Sequence, residues 1–177
     1  SKCVTFVVVS QGVEHGCAIT EDAEIQCWGD DDAVGAIPTG AFLQIAVGDK
    51  SSCALGISGT LTCWGQDMYS EVSKKPTGEY ISVKANQGQF CAMDLEQKID
   101  CWGDVGSGMP FDAVLEYAVG YQSGCVIALD GKLSCWGMNG NIPDGVFVSV
   151  DNGIAHACGV DDEDFIHCWG DFDNGKT

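Results

Sequence analysis

Cys53-Ala54-Leu55-Gly56-Ile57-Ser58-Gly59-Thr60-Leu61-Thr62-Cys63-Trp64-Gly65 is the stretch that decides the fold of this chain. Two short apolar runs flank a Ser-Gly turn, which describes a β-hairpin. The two cysteines lie equally far from Ser58, so folding the segment about that residue sets Cys53 against Cys63. The same cassette recurs as Cys17/Cys27-Trp28-Gly29, Cys91/Cys101-Trp102-Gly103, Cys125/Cys135-Trp136-Gly137 and Cys158/Cys168-Trp169-Gly170. Eleven residues before each first cysteine stands Phe6, Phe42, Tyr80, Val114 or Phe147, which makes a block of 24 residues in five copies. Spacing varies only in the linkers, as expected of packed units joined by surface loops.

Each block reads as three strands. The positions one and three after the leading residue are apolar in every copy: Val7 and Val9, Leu43 and Ile45, Ile81 and Val83, Leu115 and Tyr117, Val148 and Val150. Alternation of that kind reads as a first strand. Pairing the hairpin about its centre matches Ile19 with Ile25, Leu55 with Leu61, Met93 with Ile99, Ile127 with Leu133 and Val160 with Ile166. Gly16, Ser52, Phe90, Gly124 and Ala157 then face Trp28, Trp64, Trp102, Trp136 and Trp169, small in four cases of five, which leaves room for an indole. Gly59 and Gly131 suit a three-residue loop that ends in a left-handed residue. Ala23, Gln97 and Asp164 stand there in the other copies and predict wider loops.

Facing cysteines on antiparallel strands have Cβ atoms about 4.5 to 5.5 Å apart, near the separation that a disulfide needs. We read Cys17–Cys27, Cys53–Cys63, Cys91–Cys101, Cys125–Cys135 and Cys158–Cys168 as disulfides, with reduced core cysteines as the alternative. Zinc fits less well, because no C-x-x-C pair exists. Ten paired cysteines of eleven point to an oxidising compartment and a secreted, extracellular protein, whose leader is absent from this sequence. Cys3 has no repeat partner and is the candidate for an intermolecular bridge.

With 26 acidic and 8 basic residues, the formal net charge is -18. That repels nucleic acid and anionic membranes. No apolar run is long enough to insert in a membrane. The acidic clusters at 30–32 and 161–164 read as solvated surface. Asp171 and Asp173 resemble a fragment of a calcium loop without its distal glutamate, so calcium is a weak candidate and no cofactor is expected. His15 and His156 share one repeat slot, two residues before a first cysteine, where two imidazoles meeting across a closed ring would share a metal or a proton. No nucleophile elbow, zinc-protease helix or phosphate loop is present, so the chain reads as a non-enzyme with no catalytic residues.

Cys53-Ala54-Leu55 with Leu61-Thr62-Cys63-Trp64-Gly65, Cys125-Val126-Ile127 with Leu133-Ser134-Cys135-Trp136-Gly137, and the lead-ins Ala46-Val47-Gly48 and Ala118-Val119-Gly120 together resemble a known repeat. It is that of the regulator of chromosome condensation superfamily, in its disulfide-bearing extracellular, crinkly-like branch, with beta-lactamase inhibitor protein II as a more distant relative. The resemblance implies an all-β fold: a β-propeller, or an open propeller-like arc, of five small three-stranded blades, each with its own disulfide. Residues 1–177 would form a single repeat domain with blades near 4–29, 42–65, 80–103, 114–137 and 147–170. Five repeats, where the family usually has seven, leave closure open; an open array with unlike ends joins head to tail. The leading functional expectation is a non-catalytic extracellular protein-interaction or assembly module, as a structural subunit of a polymer or surface coat. Its partner is then another protein or a second copy. A lectin-like or other ligand-binding propeller and a secreted protein inhibitor are the alternatives.

Overall fold

A computed structural model describes residues 5–106, 112–138 and 140–171. The strands in chain order are β1 (Phe6–Gln11), β2 (His15–Thr20), β3 (Ile25–Gly29), β4 (Phe42–Val47), β5 (Ser51–Gly56), β6 (Leu61–Gly65), β7 (Tyr80–Asn86), β8 (Gln89–Asp94), β9 (Ile99–Gly103), β10 (Val114–Val119), β11 (Gly124–Ala128), β12 (Leu133–Trp136), β13 (Phe147–Asn152), β14 (His156–Asp161) and β15 (Ile166–Gly170). They form five separate three-stranded antiparallel sheets, each in simple chain order, and none closes on itself. A single helical turn, α1 (Asp31–Val34), follows β3. Part of the acidic cluster at 30–32 is its start: the Asp30 carboxylate accepts from the N–H groups of Asp32 and Ala33, both at 3.1 Å. Among the described residues no helix is long and apolar enough to cross a membrane.

The hairpin arithmetic is realised in the register. Cys17 faces Cys27, Cys53 faces Cys63, Cys125 faces Cys135 and Cys158 faces Cys168. All five blades carry an internal disulfide, Cys91–Cys101 included, with Cα atoms 4.0 to 4.1 Å apart. The close spacing is that of the narrow class of antiparallel pairs.

The first segment of each block is a strand, but one that departs from plain alternation. In every blade its register slips after the leading residue, between Phe6 and Val8, Phe42 and Gln44, Tyr80 and Ser82, Val114 and Glu116, and Phe147 and Ser149. A β-bulge inserts one unpaired residue and turns it away from the ladder's alternation. Val7, Leu43, Ile81, Leu115 and Val148 are therefore exposed rather than sharing a face with the residue two further on. The inward pair becomes the leading residue and the one three after it: Phe42 with Ile45, Tyr80 with Val83, Val114 with Tyr117, Phe147 with Val150, all buried.

The hairpin loops correct the sequence reading. Ala23, Gln97 and Asp164 do not widen their loops but adopt positive φ of 63°, 64° and 67°, close to the 79° and 81° of Gly59 and Gly131. Loops one and five close like those of blades two and four: Thr20 N–H donates to Glu24 and Asp161 N–H to Phe165, as Gly56 N–H does to Thr60. The tertiary reason lies in the carbonyl of the left-handed residue. Ala23, Gly59, Gln97 and Gly131 accept from the N–H of Phe42, Tyr80, Val114 and Phe147, at 2.8 to 3.0 Å, so this residue hooks the start of the next blade. An L-residue in that conformation costs about 1 to 2 kcal/mol. Ala23→Gly and Gln97→Gly should each stabilise the protein by about 1 kcal/mol, seen as a rise of roughly 2 to 4 °C in thermal melting. An unchanged or lower melting temperature would refute the strain.

The chain divides into two compact units, residues up to 104 without 96–99, and residues 96–99 with 105 onward. Within each unit the core lies between consecutive blades. In the first, Cys17, Ile19 and Ile25 of blade one pack with Phe42, Ile45, Val47 and Trp64 of blade two. One blade further, Cys53, Leu55 and Leu61 pack with Tyr80, Val83, Phe90 and Trp102. In the second unit Cys125 and Ile127 pack with Phe147, Val150 and Trp169. The grammar is constant: the disulfide face of one blade receives the leading residue, the bulge-shifted residue and the tryptophan of the next.

Candidate functional site

That grammar exposes what it leaves unfilled. Blade one presents Phe6, Val9 and Trp28 in the positions that blades two to five bury. They are 47 %, 68 % and 46 % exposed, whereas Trp64, Trp102, Trp136 and Trp169 are buried. Blade five presents the opposite half. Ile166 is 73 % exposed, although its counterparts Ile25 and Leu61 are buried. Cys168 is exposed and Cys158 and Val160 are half-buried, while the first cysteines of blades one to four are fully buried. Single exposed apolar side chains are ordinary on proteins, but a contiguous set at core positions marks an interaction surface.

The aromatic slot shows how side chains tune each blade. Phe90, the large residue facing a tryptophan, stacks on Trp102 with ring centroids 5.7 Å apart. The Trp102 indole N–H donates to the Glu71 carbonyl at 2.7 Å, a partner from the linker that the repeat pattern could not announce. Tyr80 donates its hydroxyl to Asp100 at 2.7 Å; burial, together with that acceptor, pushes the hydroxyl's pKa well up.

Polar groups in the histidine slot tie consecutive blades. His15 Nε2 lies 2.7 Å from Ser52 Oγ, and Ser123, in the same slot of blade four, accepts from Asn152 at 3.1 Å. His156 is exposed at its place in blade five. His15 is buried, and burial holds its pKa below the usual 6.5 against the opposing pull of Asp49, Glu14 and Asp30. The sign follows: below pH 6.5 the unfolded chain takes up a proton that the folded imidazole resists, so stability rises with pH across that window. Stability should fall as pH drops from 6.5 toward the folded pKa, and His15→Gln should flatten that slope in melting curves taken across pH; an unchanged slope would sink the assignment.

In blade five the acidic cluster at 161–164 is the turn itself. Asp161 accepts from the N–H groups of Glu163 and Phe165 and bonds His167 Nε2 at 2.7 Å. The His167 bond, with those N–H groups, holds the Asp161 carboxyl below its usual pKa range. Asp171 closes the described chain, its N–H donating to Ala155; Asp173 and Cys3 lie outside the described residues.

Disulfide-stapled three-stranded antiparallel blades, packed one on the next within each unit, are an all-β, propeller-like architecture. No protein-family model matches the sequence, and no curated protein matches it. Solved structures do. The entire ectodomain of the Physcomitrella patens receptor kinase CR4 is similar over 94 % of this chain and 51 % of its own, with 25 % identity and a TM-score of 0.81. The CRINKLY WD40 ectodomain of the Arabidopsis thaliana receptor kinase ACR4 matches 96 % of this chain and 66 % of its own, with 24 % identity and a TM-score of 0.80. Prp20p of Saccharomyces cerevisiae, characterised for binding to Gsp1p and histones, matches 94 % and 58 %, with 15 % identity and a TM-score of 0.74. The five disulfide-bearing blades are similar in fold to these propellers, in keeping with the resemblance to regulator of chromosome condensation repeats. The chain spans about half the length of the CR4 ectodomain.

Proposed function

We propose that this chain is a non-catalytic, extracellular protein-interaction module, and that its finer role is assembly into a polymer or surface coat. The observation that carries the reading is the uncovered Phe6, Val9 and Trp28 at positions that every other blade buries. Five disulfides and the likeness to receptor ectodomains support a place outside the cell. Cys3, three residues before Phe6 in sequence, would lock a contact made by that face; non-reducing mass spectrometry showing a free, alkylatable thiol would remove the covalent form of it.

A photo-crosslinking residue at position 9 should capture protein on the surface of the source cells. The same probe at Ile57, an exposed residue of the blade-two loop, should not. Capture no greater at position 9 than at position 57 would overturn the reading.

A further inference from the structure

We propose that blades two, four and five each bind one buried water on the indole N–H of their tryptophan, at a site that blade three fills with its own backbone. Trp64, Trp136 and Trp169 are more than nine-tenths buried, and among the described residues no protein acceptor lies within reach of their indole nitrogens. Trp102, as buried as Trp64, donates to the Glu71 carbonyl at 2.7 Å. An N–H taken out of water without an acceptor forfeits the bond that it made there. Four equivalent indoles should therefore differ in what accepts that bond and not in whether it exists.

The linkers account for the difference. Glu71 belongs to residues 66–79, the longest of the four linkers between blocks. It crosses the Trp-Gly end of blade three, where its Cγ lies 3.1 Å from the point at which a Cβ on Gly103 would stand. Glycines of the shorter linkers hold the matching place in the other three blades. A Cβ on Gly35 would stand 3.2 Å from Gly65 Cα and 3.9 Å from Trp64 Cδ1. One on Gly106 would stand 3.4 Å from Trp136 Cδ1, and one on Gly140 would stand 3.0 Å from the Gly170 nitrogen. Cδ1 is the ring atom bonded to Nε1, so in blades two and four the side chain that the glycine lacks would crowd the donor edge of the indole. Each of these pairs lies within one compact unit.

Chemistry selects the ligand. An indole nitrogen only donates, so the ligand must accept. It must also donate, because backbone carbonyls stand nearby. In blade two they come from α1: the N–H groups of Val34 and Gly35 bond back to Asp30 and Asp31, which leaves the Asp32, Ala33 and Val34 carbonyls outside the helical ladder. The Ala33 oxygen lies 3.1 Å from the point at which a Cβ on Gly65 would stand. In blade four the Gln122 carbonyl faces Gly106. The molecule of one heavy atom that both accepts and donates is water, which typically makes about three bonds in such sites. An anion would be repelled by the carbonyls and a cation by the N–H.

The test is nuclear magnetic resonance of the oxidised full chain with isotope-labelled tryptophan, the indole signals assigned by through-bond correlation. The indole protons of Trp64, Trp136 and Trp169 should each show a cross-peak to water with the sign of a long-held molecule, and that of Trp102 should show none. Ser52→Ala controls for exchange through a hydroxyl: Ser52 faces Trp64 on the neighbouring strand, and Ala157 already occupies its place in blade five. The Trp64 cross-peak should survive that change. A crystal structure should place one ordered oxygen about 2.7 to 3.2 Å from each of the three nitrogens.

Absence of the cross-peak at any of the three indoles overturns the proposal, as does one of equal strength at Trp102. Its loss from Trp64 in Ser52→Ala would assign it to the hydroxyl and sink the idea equally. So would a crystal structure with a protein carbonyl bonded to any of the three nitrogens.

Discussion

Opening all five disulfides with a thiol reductant should unfold the protein at room temperature. Each closes a loop of about eleven residues and restricts the unfolded chain by about 3 kcal/mol on the loop-entropy model. Five such constraints together rival the usual total stability of about 5 to 15 kcal/mol. The staples also sit in the packing, since Cys17, Cys53 and Cys125 have no solvent exposure and belong to the layers between blades. Reduction should proceed from blade five, whose Cys168 is exposed, because a thiolate must reach the sulfur that it attacks. Brief treatment followed by alkylation should label Cys158 and Cys168 first, with the near-ultraviolet dichroism of the remaining blades intact. Loss of that signal should follow once the buried pairs open. A protein alkylated at all ten cysteines that still melts at its original temperature would refute the account.

Gly48→Ala should be among the most destabilising single changes in the chain, at about 3 kcal/mol. A Cβ at Gly48 would overlap the carbonyl oxygen of Gln87 and press on the Phe90 ring. That carbonyl also accepts from the Asp49 N–H at 2.9 Å. The obstacle is backbone, so no rotamer change relieves it. The turns of blades two and three must separate, at the cost of that bond and of the layer built around Leu55, Val83 and Trp102. Gly56→Ala is the control: its Cβ would meet nothing closer than 3.5 Å, and Ala128 already occupies the matching place in blade four. Chemical denaturation should show the large loss for the first and a change within about 0.5 kcal/mol for the second. Equal effects would refute the close approach.

How far the sequence could be read follows from where each property originates. Cysteine pairing was legible because Cys53 and Cys63 are equidistant from their turn, and a local hairpin needs no information from distant residues. The bulge was not. Leu43 and Ile45 alternate as a strand should, and only the preceding blade's disulfide face, waiting for Phe42 and Ile45 together, shows why the register slips between Phe42 and Gln44. Ala23 and Gln97 argue against a left-handed turn by propensity and adopt one because Phe42 and Val114 need an acceptor there. Glu71 gave no signal, since a carbonyl that caps an indole thirty-one residues away carries no side-chain signature.

The candidate surface shows the same division. Phe6, Val9 and Trp28 read as core because their repeat equivalents are core, and by sequence alone nothing separates blade one from the rest. The sequence by itself determined the unit, its strands, its staples and its fivefold repetition, all products of short-range spacing. Tertiary structure decided which copies of an identical pattern stay uncovered, because burial belongs to neighbours in space and not to spacing along the chain.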